Sequence, residues 1–295
     1  MDVPVLINPG GGSAGPDSIG RVRDALAASG IAAAIEQVEG PDLAARAAVL
    51  AAKGAPLVIA AGGDGTMSAV GGALAGTDTA LGILPLGTLN HLARDLGIAF
   101  DLDEAAAVIA AGYRRRIDTV SVNDRMFLNN SSVGLYPLLV DGREAGQRRF
   151  GWTKRRAMIP AAIRTLARMH HHRLRLSGNG RAATVDTPLL FVGNNDYSVA
   201  LPAAGRRQSL DDGKLCVMVL RRTGRLHLIG VLARALIGRS RPGDMIRIDT
   251  AADLTVDSRR STLSVAIDGE TAHLAPPLTY RVHPRALTIV GPAPA

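Results

Sequence analysis

A chain of 295 residues, 47% hydrophobic and 20% charged, has the length of one large or two ordinary domains and enough apolar material for a sizeable core. No apolar run reaches the roughly 18 residues that a membrane-crossing helix needs, and Met1 is not followed by the basic and apolar regions of a signal peptide. The single cysteine, Cys216, cannot close an internal disulfide, so a reducing, cytoplasmic compartment is expected, and its alternating apolar surroundings predict a buried strand.

In chain order, residues 3–7 predict a strand that ends at Asn8-Pro9 and a glycine cluster. A helix is expected over 17–28, a strand over 31–38, and a helix from Pro41-Asp42 to about Gly54. A third strand over 57–60 runs into Gly62-Gly-Asp-Gly65, and helix, strand (80–84), glycine turn and helix repeat after it. Strands spaced by helices predict a parallel sheet with both faces covered.

The pattern changes near Arg116. Residues 117–122 and 125–129 flank Asn123-Asp124, which suits a hairpin turn. Strand-like runs follow at 174–176, 188–193, 214–220, 245–248, 253–256, 263–267 and 278–282, with one clear helix at 226–237. The expected fold is therefore an α/β N-terminal domain with a parallel sheet plus a C-terminal antiparallel β-sandwich domain. Residues 286–290 form one more strand, whose sheet the pattern does not assign.

Three loops join a strand to a helix in the first half, where backbone N–H groups of glycine-rich turns can approach phosphate oxygens. The first, Asn8 to Gly15, contains Gly10, Gly12 and Gly15 in G-x-G-x-x-G spacing with Glu36 further on; a dinucleotide turn and a merely flexible turn are both open readings. The second, Gly62-Gly63-Asp64-Gly65-Thr66, carries an aspartate that needs Mg²⁺ or water between it and a phosphate, or else holds the loop; Thr66 is either an N-cap or a phosphate donor. The third includes Gly87, with Thr88 and Asn90 as donors.

Charge is uneven. Of the net +8, the window 143–175 supplies ten Lys or Arg against the one acid Glu144, leaving the remainder near neutral. With Ile159, Ile163 and Leu166 at helical spacing, this segment reads either as an interfacial helix that meets anionic lipid or as an amphipathic helix packed on the β domain. Zinc spacing and aromatic-studded RNA motifs are lacking, so no nucleic-acid partner is expected. The run His170-His-His172 points its rings in different directions on a helix and does not predict a metal site.

Two acidic turns complete the inventory. Asp268-Gly269-Glu270 follows a strand, and its glycine allows a tight turn that aims both carboxylates into a cleft; a solvated hairpin turn is the plain alternative. Asp211-Asp-Gly213 has the same plain alternative.

At Asn8-Pro9, Gly62-Gly-Asp-Gly-Thr66, Pro85-Leu-Gly-Thr-Leu-Asn90, Asp211-Asp-Gly-Lys-Leu215 and Asp268-Gly-Glu270, taken in order, the chain resembles the diacylglycerol kinase catalytic-domain family, especially its soluble bacterial lipid kinases. That family is related to sphingosine and ceramide kinases and, more distantly, to NAD kinase and phosphofructokinase. The resemblance implies transfer of phosphate from ATP to a lipid alcohol, with Mg²⁺, at the inner face of the membrane. It implies a nucleotide domain over 1–118, to which a strand within 284–295 returns, and a lipid-substrate domain over 119–283.

It further implies that residues 62–68, Met67 and Ser68 included, bind ATP together with Thr88. Glu270 would be the proton acceptor with Asp268 in support, and Asp212 would bind a metal with the main-chain oxygens of Ser209 and Lys214. Three departures stand out. Ser68 and Ala69 replace an Asn-Glu pair, and His91 replaces an aspartate that shares a water network around Mg²⁺ with the positions of Asp64 and Asp118. One alternative is an NAD kinase-like small-molecule kinase, against which stands the lack of that family's Asn-Glu pair and Gly-rich follow-on segment; the other is a non-catalytic nucleotide-binding regulator, which these departures leave open.

Overall fold

The computed structural model describes residues 2–9, 17–134, 171–197, 206–207, 209–220 and 245–293. Gly10, Gly12, the basic segment up to residue 170 and the helix expected at 226–237 lie outside the described residues.

Strands β1 (Val3–Ile7), β2 (Ala33–Gln37), β3 (Leu57–Gly62) and β4 (Ala80–Pro85) run parallel in the order β2-β1-β3-β4. Almost every residue of β3 and β4 is apolar and buried, which is what a parallel strand covered on both faces requires. The helices are α1 (Ser18–Ala28), α2 (Leu43–Ala52), α3 (Asp64–Leu74), α4 (His91–Leu96) and α5 (Leu102–Ala111). Helix α1 lies beside α5, and α2 beside α3; right-handed crossovers between parallel strands would put the two pairs on opposite faces of the sheet. Asp101 caps α5 by accepting the amides of Asp103 and Glu104 at 2.9 and 3.1 Å.

The later strands are β5 (Arg114–Val122), β6 (Arg125–Phe127), β7 (Asn130–Gly134), β8 (His172–Gly178), β9 (Arg181–Thr187), β10 (Leu189–Asn194), β11 (Leu215–Leu220), β12 (Met245–Ala251), β13 (Asp253–Ser258), β14 (Leu263–Ile267), β15 (Glu270–Leu274) and β16 (Leu278–Val290). Among the described residues, β12-β11-β10-β7-β14-β15 form an antiparallel sheet. The parallel sheet itself continues from β4 through β16 to β13, β8 and β9. Apolar residues of that extension, among them Leu174, Val256 and Tyr280, pack against Val133, Leu190 and Val265 of the antiparallel sheet as a sandwich. The expected fold class is the one observed.

Residues 278–282 and 286–290, read from sequence as two strands, are one strand with a bulge between His283 and Leu287, where Arg285 takes φ 50°. The strand pairs in parallel with β4 through Ile289 and Leu81, and antiparallel with β5 along most of its length. Both β5 and β16 therefore serve two cores: Ile117, Leu287 and Ile289 belong to the α/β core, while Val120, Val122, Tyr280 and Val282 belong to the sandwich core. Asp118 sits at the crossing point, fully buried, accepting the amides of Gly213 and Arg285 at 2.7 Å each. The aspartate expected near a Mg²⁺ water network thus holds the bulge of β16 to the 209–214 loop.

Candidate active site

Pairing of Ile7 with Ala61 and of Gly62 with Pro85 brings the carboxyl ends of β1, β3 and β4 side by side. Asn8 donates its amide to the Ala61 carbonyl at 3.2 Å and its Nδ2 to Thr66 Oγ1 at 3.3 Å, which ties the first loop to the second. The second and third loops touch backbone to backbone. A Cβ on Gly87 would lie 2.5 Å from the Gly63 Cα, so a side chain there cannot coexist with this approach. Asn90, in the left-handed region with φ 47°, closes the third loop: its Oδ1 accepts from Gly87 N at 3.0 Å and its Nδ2 donates to Gly87 O at 2.9 Å. Asn90, expected as a phosphate donor, is buried and staples its own loop, while Thr88 beside it is exposed.

Gly63, not Thr66, caps α3, whose first intrahelical bond runs from Met67 N to Gly63 O at 3.1 Å. The amides of Asp64, Gly65 and Thr66 thus precede any intrahelical acceptor and, with the helix dipole, favour an anion at this end. Met67 turns into the α/β core, so of the expected nucleotide contacts it presents no side chain to the loops. One oxygen of Asp64 accepts Leu92 N at 3.4 Å, tying α3 to α4. His91 opens α4, half-buried.

The β14–β15 hairpin turns through two residues, Asp268 and Gly269, with φ 44° and 88°. Positive φ at both positions matches the twist of a two-residue hairpin. The turn sends its two carboxylates to different places. Asp268 faces inward, where Oδ2 accepts from Ser68 Oγ at 2.6 Å and Leu128 N at 2.8 Å, and Oδ1 accepts from Asn129 N and Asn130 N at 2.9 Å each. Burial pushes its carboxyl up from the ordinary value, and the four donors pull against that shift. Glu270 is exposed, and its Oε1 lies 3.0 Å from where a Cβ on Gly65 would stand. Only the second carboxylate is available to a ligand.

Glu270 opens onto a cleft of about 390 Å³. One wall is the small-residue face of α3 (Gly65, Ser68, Ala69, Gly72, Ala73); the others come from Asp124, Arg125 and Met126 and from Ile267, Thr271 and Ala272. Gly71 and Gly72 let the β strands come this close, since a Cβ on Gly72 would be 3.1 Å from the Met126 Cβ.

Sequence reading missed the network beneath. Arg207 and Asp95 form a buried ion pair at 2.7 Å; Arg207 also donates to Leu128 O at 2.6 Å and Asn129 Oδ1 at 3.0 Å. Its guanidinium lies 5.9 Å from the Tyr197 ring centroid, and Tyr197 donates its hydroxyl to Asn129 O at 2.9 Å. Residues 128–130 are therefore held on one side by Asp268 and on the other by Arg207. No local pattern in the sequence signals this pair, whose partners lie 112 positions apart.

The expected metal set looks different in place. Asp212 pairs with Lys214 Nζ at 3.1 Å, and the same ammonium reaches Asp196 at 3.2 Å. Lys214, and then the Ser209 hydroxyl, hold the Asp212 carboxyl below its usual range. The Lys214 carbonyl accepts Asn195 N at 2.9 Å. A hard divalent cation wants six or more oxygens, so Asp212 and the main-chain oxygens of Ser209 and Lys214 would need water to complete a shell, with the Lys214 ammonium moved off the carboxylate. No cluster of three or more His, Cys, Asp or Glu among the described residues is placed to hold a metal. At the glycine loops, by contrast, Asp64 keeps its second oxygen without a partner among the described residues, which suits a cation that arrives with phosphates.

A parallel sheet ending in two apposed glycine loops, with Asn8 tied to them and a β sandwich presenting the Glu270 carboxylate across the cleft, is an arrangement suited to a phosphate ligand. Residues 2–122 match the family model described as diacylglycerol kinase catalytic domain, and 143–291 match that described as YegS C-terminal NAD kinase beta sandwich-like domain. The chain belongs to this diacylglycerol kinase family of lipid kinases. A diacylglycerol kinase of Bacillus subtilis is 29% identical over 228 residues, covering 75% of this chain and 73% of the relative. A YegS-like probable lipid kinase of Chromohalobacter salexigens is 28% identical over 258 residues, covering 86% and 81%. A diacylglycerol kinase structure from Bacillus anthracis superposes with a TM-score of 0.69 at 21% identity, covering 99% of this chain and 97% of the other, which speaks for the fold.

Within that family pattern, Ser68 stands where asparagine is usual, and it keeps a donor hydrogen bond to Asp268. Ala69, in place of glutamate, lines the cleft.

Proposed function

We propose that this protein moves the γ-phosphate of ATP onto the hydroxyl of a lipid alcohol, of the diacylglycerol or ceramide and sphingoid type. One observation carries the reading: Glu270, the carboxylate left free by the turn, stands over Gly65 at the amide-rich end of α3, beside the apposed loops of Gly63 and Gly87.

The residues divide the work. Main-chain amides of 63–66 cradle phosphate oxygens, Asn8 and Thr66 hold the loops in register, and the exposed Thr88 hydroxyl is a further donor. Glu270 takes the proton of the acceptor hydroxyl as its oxygen bonds to phosphorus and the bond to the leaving ADP oxygen breaks. Asp268 acts through others, since its oxygens are filled; it positions Glu270 and α3. Asp64 would hold a Mg²⁺ ion brought in with the nucleotide, whose charge would offset that of the phosphates. We assign the nucleotide to residues 1–118 with the returning strand in 284–295, and the acceptor to 119–283. No described helix is long and apolar enough to cross a membrane; the basic segment 143–175 would bring the enzyme peripherally to anionic lipid at the cytoplasmic face.

Transfer of label from γ-labelled ATP to diacylglycerol, ceramide, sphingosine and phosphatidylglycerol in mixed micelles with Mg²⁺ tests the reading, with NAD as a soluble control. Label in one organic-phase product is expected. Label in NAD alone, or in no acceptor, overturns it.

A further inference from the structure

Far from the cleft, at the edge of the extended sheet, β8, β9 and the turn after β13 enclose a cavity of about 500 Å³. Four arginines line it, Arg173, Arg175, Arg259 and Arg260, against one carboxylate, Asp257. Alternation along β8 turns Leu174 and Leu176 into the sandwich and leaves Arg173 and Arg175 on the outer face. Register sets Arg175 between Thr184 on β9 and Asp257 on β13. Despite that placement, none of the four guanidinium groups has an ion pair or hydrogen bond among the described residues. Asp257 uses Oδ1 on the amide of Ser258, and the Ser258 hydroxyl accepts the Arg260 amide at 3.3 Å, which fixes the turn that carries Arg259 and Arg260.

Four like charges gathered round one concavity repel each other, and the carboxylates described beside them are fewer: Asp257 across from Arg175, and Asp186 across from Arg173, the latter paired with His171 at 3.6 Å. Guanidinium forks match the tetrahedral oxygens of phosphate in pairs, and the hydroxyl of Thr184 adds a neutral donor. We infer that this cavity is a second anion site, which binds a phosphate monoester through Arg173, Arg175, Arg259 and Arg260. The ligand is either free in solution or the headgroup of a membrane lipid, since both present the same dianion.

Two arms separate the sources. Calorimetric titration of the whole protein with inorganic phosphate and glycerol 3-phosphate reads the soluble ligand; co-sedimentation with phosphatidylcholine vesicles containing phosphatidate reads the headgroup. Arg173→Gln/Arg175→Gln should weaken binding by about tenfold or more in at least one arm, as expected for lost charge-assisted hydrogen bonds. Arg21→Gln/Arg23→Gln removes the same charge from the exposed face of α1 and should leave binding unchanged. Phosphate held at the glycine loops is untouched by either pair, so the difference isolates the cavity. Loss confined to the vesicle arm assigns the site to a headgroup, and loss in solution assigns it to free phosphate. Equal loss in the control pair, or no loss in either arm, overturns the inference.

Discussion

The Ser68 hydroxyl donates to the Asp268 carboxylate across 2.6 Å, joining the first turns of α3 to the β14–β15 hairpin over 200 positions of chain. The position of Glu270 relative to the glycine loops depends on this bond, because Asp268 fixes the turn from which Glu270 projects. Ser68→Ala leaves a buried carboxylate one donor short. It should lower unfolding stability by about 1–3 kcal/mol, read by denaturant titration, and reduce kcat more than nucleotide affinity. Asp268→Ala strips partners from three buried amides and should cost more stability than Ser68→Ala.

Glu270 carries no such structural bonds. Glu270→Gln should abolish lipid phosphorylation while ATP affinity stays within about threefold of wild type, a difference of under ~1 kcal/mol. Single-turnover assays beside equilibrium nucleotide binding check both halves. Retained turnover would reassign the proton acceptor.

Gly87→Ala should separate the loops. A methyl there meets the Gly63 Cα, which is backbone, and the Asn90 Oδ1 that accepts from Gly87 N. Nucleotide affinity is expected to fall by about tenfold or more, ~1.4 kcal/mol, with the fold intact by circular dichroism.

The Arg207–Asp95 pair gives an asymmetric prediction. Arg207→Met strands the buried Asp95 carboxylate and should destabilise by roughly 3–5 kcal/mol, whereas adding Asp95→Leu should recover part of that loss. Thermal unfolding of the two single variants and the double variant measures the coupling.

Alkaline titration probes two buried phenols, Tyr280 in the sandwich core and Tyr197 in the cluster with Cys216 and Met218. Burial pushes the phenols of Tyr197 and Tyr280 from an ordinary 10.0 up to about 12. The folded state holds these protons more tightly than the unfolded chain. Their stabilising contribution is therefore full below pH 10 and is lost as pH rises towards 12. Absorbance of tyrosinate should show these two phenols ionising only near pH 12 or on unfolding. Early titration of both would contradict the packing.

What the sequence made legible was local. Glycine loops, strand–helix alternation and the Asp268-Gly-Glu270 turn are written in adjacent residues, because backbone conformation is what those residues decide. Strands β7, β9 and β15 were missed because their residues are small, polar or exposed and lack the apolar alternation of a half-buried strand. Asn90, a candidate ligand donor by its place in the third loop, bonds Gly87 through both ends of its side-chain amide, and Met67, inside the second motif, faces the core. The pairing of Lys214 with Asp212 and Asp196 depends on side-chain reach, which spacing does not disclose.

The long strand β16 has a consequence for how the molecule is made. Strand β4, buried along its whole length, has its second edge covered by residues near the end of the chain. A ribosome releasing the molecule exposes the α/β half first, with the hydrogen-bonding edge of an apolar strand open until Ile289 emerges. Such an edge invites pairing with a neighbouring nascent chain. Truncation before β16 should therefore yield aggregate rather than a soluble half, and chaperone dependence should track the time that edge stays bare.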